Sequence, residues 1–233
     1  IKPDYAEAHN NLGLVLNDLG QFDLAISNFN KAITYKPNFF QAYNNLGLSL
    51  NNIEMFKEAL ESFQFAINIY PDYCDAYFNT GITYYNLGDV NQAIEHYKIA
   101  LKISPQFAKA YCNLGIVFRE ISEFDTALES YQTALQINPN YTEVYNNLGI
   151  LYYDMRHLDL SIVNYKKAIS LAPNYLDPYI NLSFSQLALG NFKEGWINYE
   201  RRRKNISYNT ERPYTYPFWL GQAITNKSIL ITG

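Results

Sequence analysis

Prolines stand at Pro3, Pro37, Pro71, Pro105, Pro139 and Pro173, always 34 residues apart. Spacing that regular is not a composition bias. It marks one structural unit repeated along the chain, each copy burying its apolar face against its neighbours. Other columns keep the same register. Small residues recur at Gly13, Gly47, Gly81, Gly115, Gly149 and Ser183, and again at Ala25, Ala59, Ala93, Ala127 and Ser161. Alanines return at Ala32, Ala66, Ala100, Ala134 and Ala168, and aromatics at Phe29, Phe63, Tyr97, Tyr131, Tyr165 and Tyr199.

Within each period two apolar stretches show helical spacing, such as Ala42, Leu46, Leu50 and then Ala59, Phe63, Ala66, Ile67. They read as antiparallel helices joined by a short turn. Gly20, Gly88 and Gly190 sit where the first helix would end, and Glu54, Ser122 and Arg156 take that place in the other periods, so the turn tolerates side chains. Asp4 with Glu7, Asn38 with Gln41, Asp72 with Asp75, Asn140 with Glu143 and Asn174 with Asp177 read as capping boxes at the first helices. Gln106 with Lys109 breaks that rule. The small columns let helix backbones approach, the aromatics fill what they leave open, and Gly81→Leu should overpack the crossing by roughly 1 to 3 kcal/mol. The column Tyr43, Tyr77, Tyr111, Tyr145 and Tyr179 reads as packing between repeats.

Aligned on these positions, with "AYNNLG" and "EALESFQFAI" as its clearest strings, the chain resembles the tetratricopeptide repeat family. The resemblance implies an all-α fold: a right-handed superhelical solenoid of antiparallel helix pairs. Six repeats occupy residues 1–206, the sixth degenerate in its second helix, where Gly195, Trp196 and Arg202 depart from the pattern.

Bulk properties exclude several classes. The 233 residues are 48% hydrophobic and 17% charged with net charge -4, which gives no bias towards nucleic acid. No apolar run is long enough to span a bilayer, so no membrane partner is expected. Cys74 and Cys112 lack pairing or metal spacing, which points to a reducing, cytoplasmic setting. His9, His96 and His157 fall at three different places in their repeats with no nucleophile or metal partner, and no phosphate loop occurs. No catalytic residue, metal site or cofactor is expected.

The two ends suggest a fragment. Ile1-Lys2-Pro3 matches the last turn of a repeat, so further repeats are expected upstream, and self-association through the solenoid ends is an expectation. Residues 207–233 are expected to form an irregular aromatic and proline cap, "YTYPFWLG", followed by a first strand, "KSILITG". The run from "GNFKEGWINYERRR" to "KSILITG" resembles the junction of bacterial proteins in which such repeats feed into a glycosyltransferase-like, Rossmann-like domain, with Trp219-Leu220-Gly221 matching a Trp-x-Gly string and Asn226-Lys227 replacing Gly-Lys. That resemblance implies a catalytic domain past Gly233. Arg201, Arg202, Arg203 and Lys204 read as a solvated helix end.

First helices line the inner groove of such a superhelix, and one column there is uniform: Asn11, Asn45, Asn79, Asn113, Asn147 and Asn181. A carboxamide donates and accepts together, so a ladder of them can satisfy the peptide groups of an extended chain. It resembles the asparagine ladder of O-linked N-acetylglucosamine transferase, whose repeats hold substrate polypeptide. A generic consensus polar residue is the alternative. Six rungs at about 1 kcal/mol each total roughly 6 kcal/mol, against an ordering cost of about 1 to 2 kcal/mol per peptide residue. Flanking pockets are therefore needed, with Asn44, Phe78, Asn146, Tyr85 and Tyr153 as candidates. Glu7, Asp18, Asp75, Glu120, Glu143, Asp154 and Asp177 outnumber Lys109 and Arg119 on the expected inner face. Repeat domains that clamp acidic chaperone tails use a basic surface there, so the expected partner is an extended polypeptide, neutral or mildly basic. Two readings follow: an interaction scaffold, or the acceptor-recognition arm of a glycosyltransferase.

Overall fold

The computed structural model describes residues 5–204. Twelve α-helices follow one another: α1 Tyr5–Asp18, α2 Phe22–Tyr35, α3 Phe40–Asn52, α4 Phe56–Ile69, α5 Cys74–Asn86, α6 Val90–Ile103, α7 Ala108–Glu120, α8 Phe124–Ile137, α9 Thr142–Asp154, α10 Leu158–Leu171, α11 Asp177–Ala188 and α12 Phe192–Tyr199. A 3-10 turn, Glu200–Lys204, ends the described part, and no strand occurs among the described residues. The expected aromatic cap and first strand, residues 207–233, lie outside it.

The chain divides into two compact units at Ile121/Ser122. In the first, α1–α2, α3–α4 and α5–α6 are antiparallel hairpins and α7 packs on α6. In the second, α8 packs on α9, and α9–α10 and α11–α12 are hairpins.

The hairpins α1–α2, α3–α4, α5–α6 and α9–α10 close through their glycine and aromatic columns. Phe29, Phe63 and Tyr97 are fully buried, and their rings lie directly over Gly13, Gly47 and Gly81, where an added Cβ would come within 2.5 to 2.6 Å of the ring. Gly149 stands against Tyr165 in the same way. The expected close approach is thus helix backbone to aromatic ring. Successive hairpins then share a core, as Ala25 and Phe29 join Leu46, Leu50, Ala59 and Phe63 in one buried cluster. Each such aromatic contributes about 1.5 to 3 kcal/mol by leaving water.

The turns inside the hairpins obey one geometry whatever the residue. Gly20, Gly88 and Gly190 have φ of 72°, 80° and 79°, and Glu54, Ser122 and Arg156 have φ of 62°, 64° and 65°. In the turns at Gly20, Glu54, Gly88, Arg156 and Gly190, two backbone bonds seal the helix end: Gln21 N–H donates to Leu16 O at 2.8 Å and Gly20 N–H to Asn17 O at 3.0 Å, a pattern repeated by Met55 and Glu54. Second helices stop differently. Lys36, Tyr70, Ser104, Asn138 and Ala172 are extended because a proline follows each and forbids helical backbone before it.

Two expectations are corrected. The first helices α3, α5, α7, α9 and α11 carry no capping boxes: their N-caps are Phe39, Tyr73, Phe107, Tyr141 and Leu176, with no side-chain cap bond, while the box expected at Asp4 and Glu7 begins outside the described residues. Backbone turns replace the caps, with Phe39 N–H donating to Lys36 O at 3.0 Å and Ala42 N–H to Phe39 O at 2.9 Å. Burial of the aromatic ring, as at Phe39, anchors the entry. The basic end is not simply solvated: the Arg201 guanidinium lies 4.0 Å over the Tyr179 ring and that of Arg202 3.8 Å over Tyr199, while Arg202 pairs with Glu200 at 3.4 Å.

Candidate functional site

In the first unit α1 packs beside α3 and α3 beside α5, so the first helices form one wall. The repeated asparagines lie along it, but the period does not give them one environment. Asn11 is exposed. Asn45 Nδ2 donates to Asn10 Oδ1 at 2.9 Å, and Asn79 Nδ2 donates to Asn44 Oδ1 at 2.9 Å. In the second unit Asn181 Nδ2 donates to Asn146 Oδ1 at 3.0 Å, and Asn147 is half-buried. Asn44 and Asn146, expected to flank the groove, are instead buried acceptors beneath it, at 3% and 5% exposure. These amide pairs stitch the second, third and sixth hairpins to the ones before them.

Asn113 breaks the stitch. The residue that would accept from it is Phe78, which has no acceptor and packs its ring on Tyr97 and Phe107, with centroids 5.7 and 4.8 Å away. The Asn113 carboxamide turns to the Tyr97 hydroxyl at a long 3.4 Å and borders a cavity of about 200 Å³. Ile82, Ile116 and Val117 give that cavity apolar walls, and Tyr85 and Tyr97 supply hydroxyls. It is smaller than drug-sized pockets of about 300 Å³ upwards, and suits one side chain of a longer ligand.

Tyr85 spans two helices, since its hydroxyl donates to the Glu120 carboxylate at 2.5 Å from α5 to α7. Burial, and then this bond to Glu120, push the Tyr85 phenol up to about 12. Burial pushes Tyr97 up to about 12 as well. Both are neutral donors at ordinary pH. Tyr97 was legible in the sequence only as a core aromatic; its hydroxyl faces Asn113 of the next hairpin and forms part of the cavity wall. Tyr153, half-buried on α9, belongs to the second unit and is not brought to this cavity.

Two of the three histidines have hydrogen-bond partners, His9 Nδ1 2.9 Å from Asn28 Oδ1 and His96 Nδ1 2.9 Å from Gln92 O, and the His157 ring lies 6.5 Å from that of Tyr152. No helix among the described residues is long and apolar enough to cross a membrane.

Comparison with known proteins agrees with this architecture. Family models described as tetratricopeptide or TPR repeat match residues 6–39, 40–73, 63–95, 83–122, 117–155 and 142–175. No curated protein matches the chain. Among solved structures, the chain is similar to a thermophilic TPR protein of Thermus thermophilus, at 26% identity and TM-score 0.68, over 78% of this chain and 99% of that one. It is also similar in fold to PilW, a type IV pilus biogenesis factor, at 18% identity and TM-score 0.78, over 88% of this chain and 95% of that one. YrrB, a TPR protein with an unusual peptide-binding site, aligns at 19% identity and TM-score 0.55, over 73% and 88% of the two chains. With repeat matches tiling residues 6–175 and the same helix-pair architecture in its structural relatives, the chain belongs to the tetratricopeptide-repeat family.

Proposed function

We propose that this chain is a protein-interaction scaffold whose first-helix wall binds extended polypeptide segments, neutral or mildly basic, with Asn113 and Tyr85 as the principal anchor in the first unit. The observation that carries this is the released carboxamide of Asn113 at the edge of an apolar cavity. One ligand side chain enters between Ile82 and Ile116 while Asn113 bonds the adjoining peptide group. The Glu120 carboxylate beside Tyr85 favours a ligand with some positive charge. Asn11, Asn45 and Asn79 extend the ladder within the first unit, and Asn147 and Asn181 form a ladder of the second; Asn45, Asn79 and Asn181 have fewer free valences, because each spends a donor on the preceding hairpin.

The test is titration of peptides selected on an array. Loss of one neutral hydrogen bond predicts a weakening of about fivefold for Asn113→Ala, and Tyr85→Ala should add to it. Wild-type affinity in the double variant would remove the reading.

Self-association belongs to the same proposal. Leu12 and Val15 on α1 are exposed, whereas Leu46, Leu114 and Val117 at the same columns are buried. Sedimentation of a Leu12→Lys/Val15→Lys variant checks it, and an unchanged oligomeric state would exclude this face. The alternative of a glycosyltransferase's acceptor-recognition arm rests on the resemblance that runs from "GNFKEGWINYERRR" to "KSILITG", of which residues 205–233 lie outside the described part, and the repeat-protein relatives lend it no support.

A further inference from the structure

A second groove of about 330 Å³ opens in the first unit, between α2 and α4 and over α3. Its floor is apolar: Ile26 and Ile33 come from α2, Leu46 and Leu50 from α3. On its α4 wall Phe65 is 54% exposed and stacks on Tyr43 with centroids 5.4 Å apart. The Ser62 hydroxyl donates to its own helix at Glu58 O, 2.8 Å away, and so makes no polar demand on the groove.

The next interval shows why this one is open. Thirty-four residues on, Leu50 and Ser62 become Tyr84 and His96, and the His96 ring sits 5.1 Å from Tyr84 and 6.5 Å from Tyr77. Those rings fill the equivalent space between α4 and α6. The rims differ as well. The side-chain carboxylates of Glu58 and Glu61 border the open groove with no hydrogen-bond or ion-pair partner among the described residues, whereas the Glu95 carboxylate, corresponding to Glu61, accepts from Gln92 Nε2 at 3.2 Å. Lys57 on the same helix makes no ion pair with Glu61 one turn away, and Lys31 on α2 makes none among the described residues. Two like charges one turn apart repel, and a cation between them relieves that repulsion.

We propose that the α2–α4 groove is a second docking site, for a basic and apolar peptide segment. An aliphatic or aromatic side chain enters between Ile26 and Leu50, and a neighbouring lysine or arginine bonds the Glu58 and Glu61 carboxylates. Charge complementarity selects this occupant over an acidic or uncharged one.

The probe is an acetylated, amidated pentapeptide of alternating leucine and arginine, titrated while the amide and methyl resonances of the protein are followed. Shifts centred on Leu46, Leu50 and Ser62 are expected. Leu50→Tyr/Ser62→His, which copies the filled interval, should weaken binding about tenfold or more by excluding the inserted side chain. Glu58→Gln/Glu61→Gln, a surface change that leaves the core intact, should weaken it roughly threefold to tenfold and flatten its salt dependence. The proposal is overturned by affinity within twofold of wild type in both variants, by equal binding of the leucine and glutamate counterpart, by shifts confined to the Asn113 cavity, or by a groove-filling effect seen only on self-association without peptide.

Discussion

The side-chain nitrogen of Asn79 donates to the side-chain oxygen of Asn44 at 2.9 Å, with the two residues only 8% and 3% exposed. Asn79→Ala strands a buried acceptor on Asn44, which costs about 1 to 3 kcal/mol. Asn113→Ala breaks only a 3.4 Å contact and should cost under about 1 kcal/mol. Urea denaturation of the two variants compares them directly, and equal losses would contradict the division between stitching and released amides.

The glycine column admits no side chain. A Cβ at Gly81 would sit 2.6 Å from the Tyr97 ring, which is buried and cannot swing aside, so Gly81→Ala should destabilise by about 1 to 3 kcal/mol. Adding Tyr97→Leu should return part of that loss if the clash is the cause. A double variant no more stable than the sum of the single losses would rule it out.

Backbone strain at the non-glycine turns is removable. Glu54 and Arg156 hold φ of 62° and 65°. Glu54→Gly or Arg156→Gly should each stabilise by about 0.5 to 1 kcal/mol, the left-handed penalty less the extra chain entropy of glycine. Thermal melting reads the sign, and the reverse change, Gly88→Ala, should lower the midpoint.

Alkaline titration gives a fourth test. Burial raises the phenols of Tyr73, Tyr85 and Tyr97 from 10 to about 12. The protonated form is the one the fold favours, so this stability is fully present below pH 10 and is lost as the pH climbs from about 10 to 12. Absorbance near the phenolate band should show part of the tyrosine titrating late in the folded protein and together after urea. Tyr85→Phe should remove one late-titrating group.

The repeat was written plainly in the sequence. A proline every 34 residues ends each second helix through a local steric rule, and the glycine, alanine and aromatic columns report faces that each hairpin must bury. The turn at Glu54 was read only as tolerant of side chains, although Gly20 and Gly88 occupy the same column; the structure holds all three at positive φ. The capping boxes were misread because backbone turns and a buried aromatic satisfy the entry of these helices.

What the sequence by itself determined is therefore the unit, its helices and the residues each helix turns inward, since these follow from local sterics and periodic burial. Tertiary packing alone decided what the asparagines do. Their partners lie 35 residues away, one position off the period, because a side chain on one hairpin meets the following residue on the next. A column read at intervals of 34 treats all six as equal; packing ties Asn45 and Asn79 to an amide, leaves Asn113 opposite Phe78, and opens a cavity there.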